Sequence, residues 1–246
     1  MVHVLHRVLW LTPIALLAVI AIVMVVKGLH KRLPYFFSYT SFVVLSNLAM
    51  LGVVIRPNPQ LYFWGYWIQN LISWGLGLAA IYEIYANLLK EYTVLQKVGA
   101  YLFWIMGVVL VTIAVGTAFS APGSDSHILR MFLTLERSVR IVECGLLVAL
   151  FIFASFFGLS WKNYLFGIAL GFAVFLSMQL AAIAIRIVAG VRFDQLFGWL
   201  QSIFYNFGVL VWTFYVVKRW RVEDLRLLPK TQLVEWNDTL QELLHR

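Results

Sequence analysis

The chain has 246 residues, of which 62% are hydrophobic and only 12% charged, and its mean hydropathy is +0.86. Soluble domains average about 25% charged residues, so this composition excludes an ordinary soluble domain and calls for lipid as the solvent. The net charge of +8 does not mark a nucleic-acid partner, because the basic residues sit at the ends of apolar blocks, and the single cysteine, Cys144, excludes an intramolecular disulfide or a cysteine-built metal site.

Seven apolar blocks follow one another, each of the length that carries a helix across a hydrocarbon core about 30 Å thick. The expected helices cover residues 8–26, 35–55, 61–89, 98–119, a stretch within 127–159, 164–189 and 195–217. No alternating pattern of the kind a transmembrane barrel requires is present. The first block follows Arg7 and is read as a retained helix, because it is too long for a signal core and has no small-residue cleavage motif. Turn formers separate the blocks: Pro34, then Pro57 and Pro59, then Pro122-Gly123, then Gly190. The predicted fold class is therefore all-α, with a seven-helix transmembrane domain over residues 1–217 and a tail over 218–246.

Orientation follows from the bias of Lys and Arg in short loops. Lys27, Lys31, Arg32, Lys90, Lys97, Lys162, Lys218, Arg219 and Arg221 fall on one side, against Arg7, Arg56, Arg130 and Arg192 on the other. The amino terminus is expected outside and the carboxyl terminus in the cytoplasm. The fifth block is the longest, and as one helix it would hold Arg130, Glu136 and Arg137 near the outer boundary.

Ionisable groups at bilayer depth are the first candidates for function, since each costs about 2.5–3.5 kcal/mol to insert unless it is paired or wet. Glu136, Arg140 and Glu143 lie at i, i+4 and i+7 on one stripe of the fifth helix. With Asn70, Gln179, Arg186, Gln201 and Tyr205 they are expected in the outer half, where they would line a cavity for a small or lipophilic ligand. The competing reading pairs Arg140 with Glu143, lets Arg186 reach the outer surface and makes the amides contacts between helices. Glu83, between Tyr82 and Tyr85, is a candidate for a proton-linked role, or else a partner for a basic residue at the cytoplasmic surface. The hydroxyls of the second helix can bond to their own backbone and need no partner. Gly167-x-x-x-Gly171 and Ser73-x-x-x-Gly77 mark close helix contacts, more naturally within the bundle than between two copies.

All seven lysines lie at helix ends or in the tail, which leaves none to hold retinal, and the five histidines lie outside the spans or at their ends, which removes haem and a membrane-embedded histidine metal site. No cofactor is implied. No phosphate loop or catalytic elbow is present, so nothing points to an enzyme. In the tail, Leu233, Trp236, Leu240 and Leu243 recur at helical spacing beside Glu235, Asp238 and Glu242. This predicts, within the segment 231–246, a short amphipathic helix over Thr231 to Leu244 that docks on a basic protein surface, within the chain or on a cytoplasmic partner, rather than on anionic lipid.

Seven helices with an outside amino terminus share the topology of G-protein-coupled receptors, but the third helix ends Tyr85-Ala-Asn-Leu-Leu89 without the D-R-Y motif and the seventh lacks N-P-x-x-Y. The runs Leu135-Glu-Arg-Ser-Val-Arg140, Gly158-Leu-Ser-Trp-Lys-Asn163 and Phe166-Gly-Ile-Ala-Leu-Gly-Phe172 resemble uncharacterised bacterial seven-helix integral membrane proteins. That resemblance implies a bacterial inner membrane and carries no site residue across. Three functions stay open: a sensory or receptor-like module, a carrier for a small solute or ion using Glu83 or Glu143, and a structural subunit of a membrane complex.

Overall fold

The computed structural model describes residues 2–55, 59–88, 97, 100, 101, 103–105, 107–109, 112, 116, 127–156, 164–189 and 194–218. Among the described residues there is no strand. Six α-helices are delimited: α1 Val2–Val26, α2 Pro34–Ile55, α3 Pro59–Leu88, α4 His127–Phe156, α5 Tyr164–Ala189 and α6 Asp194–Val217. Between α3 and α4 the described residues, among them Lys97, Tyr101 and Phe103 through Ile105, are all helical. Most of the expected fourth span, and the tail after Lys218, lie outside the described residues.

Among the described residues, four stretches are long and apolar enough to cross a bilayer: Pro34–Gly52, Pro59–Leu88, Tyr164–Ala182 and Gly198–Val217. The first helix offers a shorter apolar run, Leu11–Val26. α4 is 30 residues long and carries Glu136, Arg137, Arg140 and Glu143. Membrane association is thus supported by the length and hydropathy of these helices.

Proline begins two of the helices. Pro34 and Pro59 each occupy the first helical position, where a missing N–H costs nothing because the first amides of a helix have no partner within it. The sequence reading treated both as breakers outside the helices, and the chain instead uses them as starts. The first helix also begins at Val2 rather than at residue 8, since hydropathy marks the hydrocarbon crossing and not the end of the backbone hydrogen-bond ladder. It stops at Gly28, the one described residue with positive φ (68°), whose amide returns to the Val25 carbonyl at 3.0 Å. Glycine tolerates that left-handed turn without the Cβ clash that other residues suffer. A single 3₁₀ turn, Leu29–Lys31, then leads into α2.

The chain divides into two compact units, one of Met1–Ala80 and Leu170–Lys218, the other built on Ile81–Ala169. In the first unit α1 packs on both α2 and α6. Leu17, Ile20 and Met24 of α1, Phe36, Tyr39 and Val43 of α2, and Val209, Trp212 and Val216 of α6 are buried, each set following helical spacing. Phe36 and Tyr39 meet Phe172 and Trp212 in an aromatic cluster, with Phe172 and Trp212 closest at 4.8 Å between ring centroids. The opposite face of α6, formed by Ile203, Phe207, Leu210, Phe214 and Val217, is exposed and wholly apolar, as a lipid-facing stripe is.

The glycine motif of α5 earns its place inside this unit. A Cβ on Gly171 would run into the Trp212 indole and come within 3.0 Å of the Gly208 carbonyl oxygen, while one on Gly208 would lie 3.0 Å from the Gly171 carbonyl oxygen. Two glycines therefore face each other where α5 and α6 cross, which brings the backbones close enough for dispersion contact. Gly75 in α3 has open space around it and plays no such part.

In the second unit the buried stripe of α4 runs Arg140, Glu143, Leu147, Leu150 and Ala154, and Ile141, Val148 and Ile152 are exposed. Tyr82 of α3 packs on Phe103 at 5.3 Å between ring centroids.

Candidate functional site

The first unit contains a set of amide contacts that begins with a defect in α1. Pro13 lies inside that helix and has no N–H to give the carbonyl four residues earlier, that of Leu9. Asn206 of α6 supplies the missing donor: its Nδ2 lies 2.9 Å from the Leu9 oxygen and 2.8 Å from the Ser202 oxygen. A proline is tolerated in an apolar helix where a neighbouring helix re-satisfies the freed backbone group, and here one amide does so. With both Nδ2 hydrogens committed to carbonyls, Asn206 must aim Oδ1 elsewhere. That oxygen is buried and accepts no hydrogen bond from the described residues.

Near it in sequence, Gln201 donates from Nε2 to Gln179 Oε1 at 2.5 Å, joining α6 to α5, and Tyr205 packs on Phe175 at 5.0 Å between centroids. Three of the residues singled out from the sequence, Gln179, Gln201 and Tyr205, are thus brought to one α5–α6 interface. Asn70 instead donates to the Tyr66 carbonyl of its own helix at 2.8 Å and stays half-buried. Arg186 belongs to α5, and its side chain lies outside the described ones.

The ionisable residues fall in the second unit. Arg140 Nη1 donates to Glu143 Oε2 at 3.0 Å, and the two side chains are 9% and 2% exposed. The i, i+3 spacing places both on the buried stripe of α4, and pairing offsets the cost of desolvating each charge. Glu136, one turn earlier, is half-buried, and Arg137 turns to the exposed face. Glu83 is buried, 4% exposed, and its backbone carbonyl accepts from Asn87 Nδ2 at 2.9 Å. The hydroxyls of α2 fold back as expected, Ser38 to the Pro34 carbonyl at 2.8 Å and Thr40 to the Phe37 carbonyl at 3.0 Å. Among the described residues no cluster of three metal-ligating side chains occurs.

Two residues that sequence reading passed over do more than several it chose. Asn206 is one, and its signal was available: an amide in the middle of an apolar helix, in a chain whose first helix contains a proline. Lys27 is the other. The sequence marks it as a topology charge and as part of a basic surface for the tail, and in the structure its Nζ donates to the carbonyls of Val216, Val217 and Lys218 at 2.7, 2.6 and 3.1 Å. These are the carbonyls a helix leaves unsatisfied at its C-terminus, where the dipole also favours a cation. Together with the Leu9–Asn206 contact, this makes α1 and α6 run in the same direction and sets Lys27 and Lys218 at the same end of the unit.

Compared with family profiles, curated proteins and solved structures, the chain matches none.

Proposed function

We propose that the chain is a seven-span membrane protein with an outside amino terminus, and that it acts as a receptor-like module binding a small or lipophilic ligand through the polar groups of α1, α5 and α6. The observation that carries the ligand reading is the buried Asn206 Oδ1, an acceptor without a donor among the described residues, on the same helix as the Gln201 amide and Tyr205. A buried polar atom left unsatisfied costs about 1–3 kcal/mol, so a ligand that presents a hydroxyl or amine there recovers that cost on binding. The parallel course of α1 and α6 supports the span count, because two helices that run the same way need an odd number of crossings between them. The tail at residues 231–246 would pass the signal to a cytoplasmic protein surface, and the membrane would be a bacterial inner membrane.

Thermal-shift screening of the detergent-solubilised protein against small alcohols, amines and lipophilic donors tests this reading. Compounds that raise the melting temperature by several degrees are expected, with the gain lost in Asn206→Leu and reduced in Gln201→Leu. Solute flux into proteoliposomes that depends on Glu83 would replace the receptor by a carrier. That second reading is kept because Glu83 is a buried carboxylate on an apolar helix.

A further inference from the structure

A cavity of about 760 Å³ lies against the helical residues that follow α3, and its described lining runs from Lys97 through Tyr101, Trp104 and Ile105 to Val108 and Val109. The volume falls within the range of small-molecule sites. These positions recur at i, i+4, i+7 and i+8, i+11 and i+12, so they share one face. Phe103, off that face, packs on Tyr82, whereas Tyr101 and Trp104 are 74% and 72% exposed. The lined face is the outward one.

The order of residues along this face is that of an amphiphile. A cation stands at one end, two aromatic residues with polar handles come next, and aliphatic side chains fill the rest. Tyr and Trp favour the boundary between headgroups and hydrocarbon, and aliphatic residues favour the hydrocarbon itself. The described residues from Lys97 to Val109 are all helical, and twelve residues at the helical rise cover about 18 Å, close to one leaflet of a hydrocarbon core about 30 Å thick. A docked transmembrane helix would need the whole thickness, and the mainly apolar described lining offers a small polar solute few partners. The length and polarity match a lipid of one leaflet.

The charge selects which lipid. Lys97 belongs to the basic set with Lys27, Lys31, Arg32 and Lys90, which the positive-inside bias assigns to the cytoplasmic leaflet, where anionic lipids concentrate. Lysine binds phosphate as a point charge. We infer that this groove holds one anionic phospholipid of the cytoplasmic leaflet, its phosphate on Lys97 and its acyl chain along Ile105, Val108 and Val109. The inference rests on the membrane reading of the chain and is independent of the Asn206 cluster.

The test places a benzoylphenylalanine photo-crosslinker at position 104 of the full chain, reconstituted in vesicles of equal phosphatidylglycerol and phosphatidylcholine, with adducts identified by mass spectrometry. Phosphatidylglycerol adducts should exceed phosphatidylcholine adducts at least threefold. Lys97→Gln should return the ratio to one, and Lys97→Arg should keep the excess. A crosslinker at exposed Ile203, on α6 and at the end of that helix away from Lys218, should give the bulk ratio in the same protein. Equal yields at position 104 would reduce the groove to ordinary lipid contact and overturn the inference. So would adducts to a second copy of the chain in place of lipid, or an excess that survives Lys97→Gln. Each variant is first shown to insert and to keep the wild-type melting temperature, and a variant that fails this is replaced by Lys97→Met, with the same readings.

Discussion

Asn206 donates to the Leu9 carbonyl oxygen at 2.9 Å, and Leu9 is four residues before Pro13, so the α6 side chain repairs the one hydrogen bond that the proline removes from α1. The repair explains how a proline survives in a long apolar helix. It also fixes how far along α1 the sixth helix sits.

The first prediction is a coupling between these positions. Asn206→Leu should cost about 1 kcal/mol, in the range of hydrogen bonds between membrane helices. In the background Pro13→Ala the new amide at position 13 can bond Leu9, so the same Asn206→Leu change should cost less. Melting in detergent of the two singles and the double measures this, and strictly additive losses would show that the proline and the amide are not linked.

The second prediction concerns Arg140 and Glu143. Removing either partner takes this pairing away from a buried charge, for which losses of about 3–5 kcal/mol are typical. Arg140→Met and Glu143→Leu should each be strongly destabilising, and the double variant should be more stable than either single. A double variant as unstable as the sum of the singles would show that the pair contributes nothing as a pair.

For the close approach of α5 and α6, Gly171→Ala should destabilise by about 1–3 kcal/mol, because the added methyl meets the Trp212 indole and the Gly208 carbonyl, and neither can retreat without moving a helix. Gly75→Ala serves as the comparison. Its site is open, and alanine is the better helix former, so a neutral or slightly stabilising effect is expected there. Equal losses at the two positions would place the cost elsewhere than in the crossing.

The Lys27 contact makes a prediction about the end of α6. Lys27→Gln should lower stability by about 1 kcal/mol through lost capping of the last carbonyls, with Lys27→Arg retaining most of it. Amide hydrogen exchange should quicken selectively in the last turn of α6, around Val216 and Val217. Unchanged exchange there would show that water serves those carbonyls equally well.

The last prediction is topological. Reporter fusions should place residue 246 in the cytoplasm and residues 120–126 outside. A periplasmic reporter active at the carboxyl end would reverse the orientation drawn from the lysine and arginine bias.

The sequence alone determined where most of the described helices lie. Residues 164–189 coincide with α5, and α2, α3 and α6 begin within two residues of expectation, because block length and hydropathy depend only on local composition and on the thickness of a bilayer. The i, i+3 pairing of Arg140 with Glu143 was legible for the same reason, since spacing within one helix is fixed by its pitch. Which face of each helix turns inward was not legible. Leu17 and Ile22 of α1 are equally apolar, yet one is fully buried and the other 63% exposed. Lipid tails are as apolar as leucine, so hydropathy carries no signal about facing in a membrane helix, and steric fit and hydrogen bonding between helices decide instead. Only the tertiary structure could therefore set Gly171 under Trp212, bring Asn206 to the carbonyl freed by Pro13, and carry Lys27 to a helix end 190 residues away.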